Sequence, residues 1–172
     1  MGKVTVIGGA GFLGRYLVKR LAQQGLQVRV AVRDPEAASF LKPMGDVGQV
    51  QPIQANIRNQ ASIARAVAGA DVVINLAGVM FPGGAQSFQA VHVDGAETVA
   101  RAAAAAGVGR LIHISAIGAD AEADSKYARS KATGEAMVRA AYPDASIVRP
   151  STIFGAEDHF FNLFARLATL TP

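Results

Sequence analysis

Lys3-Val4-Thr5-Val6-Ile7-Gly8-Gly9-Ala10-Gly11-Phe12-Leu13-Gly14 decides the fold. Lys3–Ile7 reads as a strand, and glycines at 8, 11 and 14 follow it at once. Phe12–Gln23 then carries Leu13, Leu17, Val18 and Leu21 on one face of a helix. A G-x-x-G-x-x-G turn between a strand and an amphipathic helix is the context in which glycines cradle a dinucleotide. Gly8 permits a tight turn, Gly11 lets backbone N–H groups approach a pyrophosphate, and Gly14 lets the helix pack closely on the strand. The phosphates would lie at the positive end of the helix dipole.

The same alternation runs on through the chain. Gly25 ends the first helix, and Val28–Val32 reads as a second strand. Asp34 and Pro35 open a short helix over Pro35–Leu41. Val50–Ile53 is a third strand, Ile63–Val67 lies in a helix, and Asp71–Leu76 is a fourth strand. Gln86–Ala106 reads as one long helix, rich in alanine and stopped by Gly107 and Gly109. Arg110–Ile114 is a fifth strand, Tyr127–Ala141 a helix, Ser146–Val148 a sixth strand and Asn162–Leu170 a last helix. Strands alternating with helices through short connections predict an α/β fold, a Rossmann doubly wound parallel sheet with helices on both faces.

Composition narrows the function classes. With 51% hydrophobic and 17% charged residues, the 172-residue chain is no disordered segment. It has no cysteine, which removes disulfide scaffolds, zinc ribbons and thiol nucleophiles. The formal charge is +4 with a pI near 9.8, but the arginines are dispersed, so no nucleic-acid tract is expected. No apolar stretch is long enough for a membrane span. Three scattered histidines, His92, His113 and His159, lack metal-ligand spacing, so no metal site is expected. His113 reads as a satisfied core residue, and Phe160, Phe161 and Phe164 read as a core stripe.

Two further features bear on chemistry. About 20 residues past such a glycine turn, an NAD site offers an acidic residue to the ribose. Here Val32-Arg33-Asp34 places Arg33 there, and a guanidinium suits a 2′-phosphate. NADP(H) is thus preferred and NAD(H) possible, with Asp34 the competing reading. Tyr127 and Lys131, four residues apart, share one helical face, where the ammonium is expected to lower the phenol pKa.

With Gly8–Gly14, Asn75-Leu76-Ala77-Gly78, Val91-His92-Val93-Asp94-Gly95, Tyr127–Lys131 and Arg149-Pro150, the chain resembles the extended or atypical short-chain dehydrogenase/reductase superfamily, which is NAD-dependent epimerase/dehydratase-like. Gly9–Tyr16, His113–Ala119, and Tyr127–Glu135 with Ile147–Asp158, above all Pro150–Asp158, are similar to the NAD(P)-binding accessory subunit group of respiratory complex I and its bacterial relatives. The resemblance implies that Gly8, Gly11, Phe12, Leu13 and Gly14 hold the pyrophosphate and that Arg33 meets the adenosine ribose phosphate. Asn56 and Ile57 would lie at the adenine, with Asn56 accepting from its amine. Leu76, Ala77 and Gly78 would line the cofactor, and Lys131 would bond the nicotinamide ribose. Pro150 and Ile153 would lie near the nicotinamide amide.

In that superfamily Tyr127 and Lys131 would be catalytic, together with a hydroxyl at the end of the fifth strand. Ser115-Ala116 puts alanine at the expected place, leaving Ser115 or Ser125 as substitutes. Loss of that donor costs about 3 kcal/mol, or about a hundredfold in rate. The expected function is therefore an NAD(P)(H)-binding accessory or assembly subunit of the complex I type, with weak or no turnover. The alternatives are an active NADP-dependent reductase or epimerase, and a binding regulator. Residues 1–157 would form the nucleotide-binding domain, and 158–172 would begin a truncated C-terminal region. Expected partners are the dinucleotide, subunits of a membrane-associated respiratory complex, and a second copy paired through the two long helices. The lack of a presequence before the first strand suggests a bacterial cytoplasmic protein, or a mature chain already trimmed, and the resemblance adds a place at the inner membrane through a complex.

Overall fold

The computed structural model describes residues 2–158 and 161–170. Six parallel strands form one sheet: β1 (Lys3–Ile7), β2 (Gln27–Val32), β3 (Val50–Gln54), β4 (Val72–Asn75), β5 (Arg110–Ile114) and β6 (Ser146–Val148). Their order is β3-β2-β1-β4-β5-β6, so the chain crosses back over the sheet between β3 and β4. β1 is central, with Val6 opposite Val30 of β2 and Ile74 of β4. Among the described residues four helices cover the faces, α1 (Phe12–Gln23), α2 (Gln60–Val67), α3 (Asp94–Ala105) and α4 (Lys126–Ala141), and a fifth, α5 (Phe161–Leu170), follows the last strand with its side chains largely exposed. This is the doubly wound Rossmann arrangement that the alternation predicts.

The period-two geometry of a strand sends alternate side chains to opposite faces. Val4, Val6, Val28, Val30 and Ile74 join Val18 and Ala22 of α1 in one core. Ile7, Ala31, Val73 and Leu111 meet α2, α3 and Val138 of α4 in the other. Strands buried on both sides read as near-continuous apolar runs. Alanines at 96, 100 and 103 let α3 sit close to the sheet, and all three are buried. Where polar groups are buried here they find backbone partners: Thr5 Oγ1 donates to the Ala66 carbonyl, and Arg29 donates to those of Ala66 and Ala68. Both side chains thereby satisfy orphan carbonyls at the end of α2.

Three expectations need correction. No α-helix forms over Pro35–Leu41; instead a 3₁₀ segment spans Ser39–Met44. Asp34 Oδ1 accepts from the Ala37 N–H and closes a local turn there. Pro43 lacks the N–H that a longer helix would need. The long helix is also not continuous. Gly83 and Gln86 pair in an isolated antiparallel bridge, and a π turn spans Gln89–Val93 before α3. Finally, Phe161 and Phe164 are 47% and 55% exposed, so they are not core. His159 and Phe160 lie outside the described residues.

Candidate functional site

The glycine turn adopts the geometry its spacing requires. Gly8 has φ +78°, a left-handed conformation that side chains disfavour. A Cβ on Gly14 would stand 2.4 Å from the Gly9 oxygen, so the helix start rests on bare backbone just past β1. Gly11 caps α1 without a side-chain hydrogen bond, and no acidic residue occupies the first turn. The helix thus presents free N–H groups and no competing carboxylate, which suits an anion.

In front of that turn lies a cavity of about 600 Å³, at the strand ends where the order reverses between β1 and β4. Such a switch point is where open α/β sheets bind ligands, and the volume falls in the usual range for small molecules. Of the residues expected at the cofactor, Gly8, Gly11, Arg33, Asn56, Ile57, Leu76, Ala77 and Gly78 line it together. Phe12, Leu13, Gly14, Ser115, Tyr127, Lys131, Pro150 and Ile153 are not among its lining residues. Gly14 acts from beneath, through the Gly9 backbone. Phe12 stacks edge-on against Tyr16 and lies 3.0 Å from where a Gly155 Cβ would stand.

Asp34 and Arg33 both line the cavity, but an Asp34 oxygen is already engaged by the Ala37 N–H. Asn56 is likewise partly committed, since its Oδ1 accepts from the Arg58 N–H. The sequence reading missed Arg58 itself, which also lines the cavity and gives this end a second guanidinium. The signal was its place two residues after Asn56, beyond the end of β3. Asn75 was also missed as a shaping group. It is 1% exposed, accepts from the Ala77 N–H, and contacts His113 through Nδ2 and Nδ1 at 3.1 Å. An asparagine at a strand end folding the next residues into a turn is a recognisable local device.

Lys131 reaches the cavity wall by an indirect route. It is 6% exposed, and its Nζ donates to the Ile114 carbonyl at 3.3 Å. A Cβ on Gly78 would stand 3.3 Å from that nitrogen, so the glycine makes room for the ammonium beside the lining backbone. Burial lowers the Lys131 pKa to about 8, with Glu135 opposing the shift.

Tyr127 departs from expectation. Its ring packs edge-on against Phe88 and His92, and Lys131 Nζ lies 5.9 Å from its centroid. Burial therefore raises the phenol pKa rather than letting the ammonium lower it. The phenol is a proton donor at neutral pH, not a ready phenolate.

His92 is more than the packed helix residue that its place implies. The Val79 N–H donates to Nε2, so the ring proton of the neutral form sits on Nδ1, which contacts Ser130 Oγ at 2.9 Å. Ser130 in turn donates to the Tyr127 carbonyl. Burial and then the Lys131 charge push His92 down to about 4, so it stays neutral. His113 is also buried and neutral, near about 4, in keeping with a satisfied core residue.

Ser115 directly follows β5, next to the alanine at the expected hydroxyl position. It is buried, and its Oγ has no hydrogen-bond partner among the described residues. Ser125 caps α4 by accepting from the Ala128 N–H. The geometry thus supplies a glycine-lined cavity of about 600 Å³ and, beside it, a Tyr–Lys pair.

A family described as NAD(P)H-binding matches residues 8–159. The NADH-ubiquinone oxidoreductase 40 kDa subunit of Neurospora crassa mitochondria is 42% identical over 166 residues, covering 96% of this chain and 44% of that one. A ceramide reductase of Caulobacter vibrioides is 39% identical over 173 residues, covering 98% of this chain and 53% of that one. The chain therefore spans about half the length of these relatives. Among solved structures, a putative NAD-dependent epimerase/dehydratase from Bacillus halodurans superposes with a TM-score of 0.77 at 24% identity, covering 92% of this chain and 74% of that one. That likeness shows the fold.

Proposed function

We propose that this chain, which belongs to the NAD(P)H-binding family, holds NADP(H) in preference to NAD(H) and serves as a cofactor-binding accessory unit of the complex I type, with weak or no turnover. The observation that carries this reading is the missing donor: Ala116 has no hydroxyl, and Ser115 Oγ is buried without a hydrogen-bond partner among the described residues. The cradle is meanwhile intact, with Gly8, Gly11 and Gly78 bare where a ligand would approach. The Neurospora relative, named as an oxidoreductase subunit, supports the accessory role. In this reading the chain sits at the periphery of a membrane-associated respiratory assembly. No helix among the described residues is long and apolar enough to cross a membrane.

Arg33 and Arg58 would meet the adenosine phosphate, and Asn56 and Ile57 the adenine. Lys131 would bond the nicotinamide ribose beside Gly78. When bound, the dinucleotide supplies hydride chemistry. A second reading, an NADP-dependent reductase, is favoured by Lys131 standing beside Gly78 with the Tyr127 ring 5.9 Å from its Nζ. There the protonated Tyr127 would donate its phenol proton to a substrate oxygen, a role its raised pKa suits.

Equilibrium titration with NADPH and NADH tests the cofactor assignment. A charge-assisted arginine–phosphate contact is worth about 1.5–3 kcal/mol, so the parent is expected to favour NADPH by about tenfold or more. Arg33→Ala should erase most of that preference. A parent without preference, or a preference that survives Arg33→Ala, overturns the assignment.

A further inference from the structure

Glu135 is 1% exposed, the most buried carboxylate among the described residues. It stands one helical turn beyond Lys131, on the same face of α4. Its two oxygens take a fork from Arg149: Nε at 2.8 Å on Oε1 and Nη2 at 2.7 Å on Oε2. Arg139 adds a longer contact of 3.4 Å on Oε2. Arg149 directly follows β6 and precedes Pro150. The Pro150 carbonyl accepts from the Ile117 N–H at 2.8 Å, and Lys131 Nζ donates to the Ile114 carbonyl. One bidentate pair therefore clamps α4 to the end of β6, and both are laced to the end of β5.

The Arg149 side chain is 48% exposed, and an ion pair open to solvent on one side contributes little net stability. What the planar fork does supply is a fixed distance and orientation between the two elements it joins. The sheet order places that constraint. β6 is at the far edge from β2 and β3, whose ends carry Arg33, Asn56 and Arg58 on the cavity wall. The pair thus acts on the Lys131 end of the site and leaves the arginine end untouched.

We propose that the Glu135–Arg149 pair is a positioning device for the nicotinamide half of the site, setting Lys131 against the segment that begins at Pro150. The proposal rests on the dinucleotide reading above. It assigns Glu135 no contact with the ligand; the residue works through the helix that holds Lys131.

The test is isothermal titration of the 172-residue chain with two probes, NADPH and adenosine 2′,5′-bisphosphate, which fills only the adenosine half. The variants are Glu135→Gln, which removes the charge, and Arg149→Lys, which keeps the charge and loses the fork. Both are expected to bind the bisphosphate within twofold of the parent. Both should bind NADPH about tenfold or more weakly, approaching the affinity of the bisphosphate. An equal loss of both ligands marks a merely structural role and overturns the proposal. Unchanged NADPH binding overturns it too. Arg149→Lys answers the question should Glu135→Gln not fold. A parent that binds neither probe overturns the dinucleotide reading, and the proposal with it. A parent that binds both, with variants that match it, overturns the positioning role alone.

Discussion

Replacing Lys131 by methionine should make the chain's stability respond differently to pH, by an amount the structure fixes. The ammonium is 6% exposed, with one long hydrogen bond to Ile114 and a nearby Glu135 already held by two arginines. Burial dominates, and the pKa falls from 10.5 to about 8. The folded value lies below the unfolded one, so between them the unfolded chain holds the proton and the folded chain does not. Stability contributed by this group therefore rises as pH climbs from about 8 toward about 10.5. The full range is worth about 3 kcal/mol. Below about 8 the folded state carries the whole cost of the buried charge. Methionine keeps the stem and removes the titration. Urea unfolding followed by circular dichroism, in pH steps from 7.5 to 10.5, measures it. Other lysines and tyrosines titrate alike in both proteins, so they cancel in the difference. The parent should gain about 3 kcal/mol relative to Lys131→Met over that range. A difference that stays constant with pH would refute the buried, cationic Lys131 on which the site's electrostatics rest.

Two glycine substitutions probe the packing beneath the site. Gly134→Ala improves helix propensity by about 1 kcal/mol, yet its Cβ would stand 2.0 Å from the His92 carbonyl. Overpacking of about 1–3 kcal/mol should win, so thermal melting should show a lower Tm, and a raised Tm would contradict the close approach of α4 to the π turn. Gly14→Ala would press a methyl against the Gly9 backbone at 2.4 Å. The Tm should fall, and the upward Tm shift on adding NADPH should shrink; an undiminished shift would show that the turn tolerates the methyl.

The sequence made the glycine-turn side of the cavity legible. Gly8, Gly11, Arg33, Asn56, Ile57 and Leu76–Gly78 all sit within a few residues of strand ends that alternation locates, and all line one cavity. The other side was harder. His92 lies inside what reads as one helix, and only the π turn and the packing of α4 give it Val79 and Ser130 as partners. Tyr127 and Lys131 were legible as a pair by helical spacing, but their environment was not. Whether the ammonium lowers the phenol pKa or burial raises it depends on how Phe88 and His92 close over the ring.

The sequence by itself determined six strands, the turn between β1 and α1, and the helix faces, because these follow from periods of two and 3.6 and from the steric needs of glycine. Tertiary structure alone decided that Ser115 is buried at the end of β5, that Arg149 grips the Glu135 carboxylate from just beyond β6, and that Arg58 joins Arg33 on one cavity wall. Those partners are far apart along the chain. They meet because the sheet sets β2 beside β3 and β5 beside β6, which brings those strand ends together. Local patterning encodes which face each residue takes, and packing decides what that face meets.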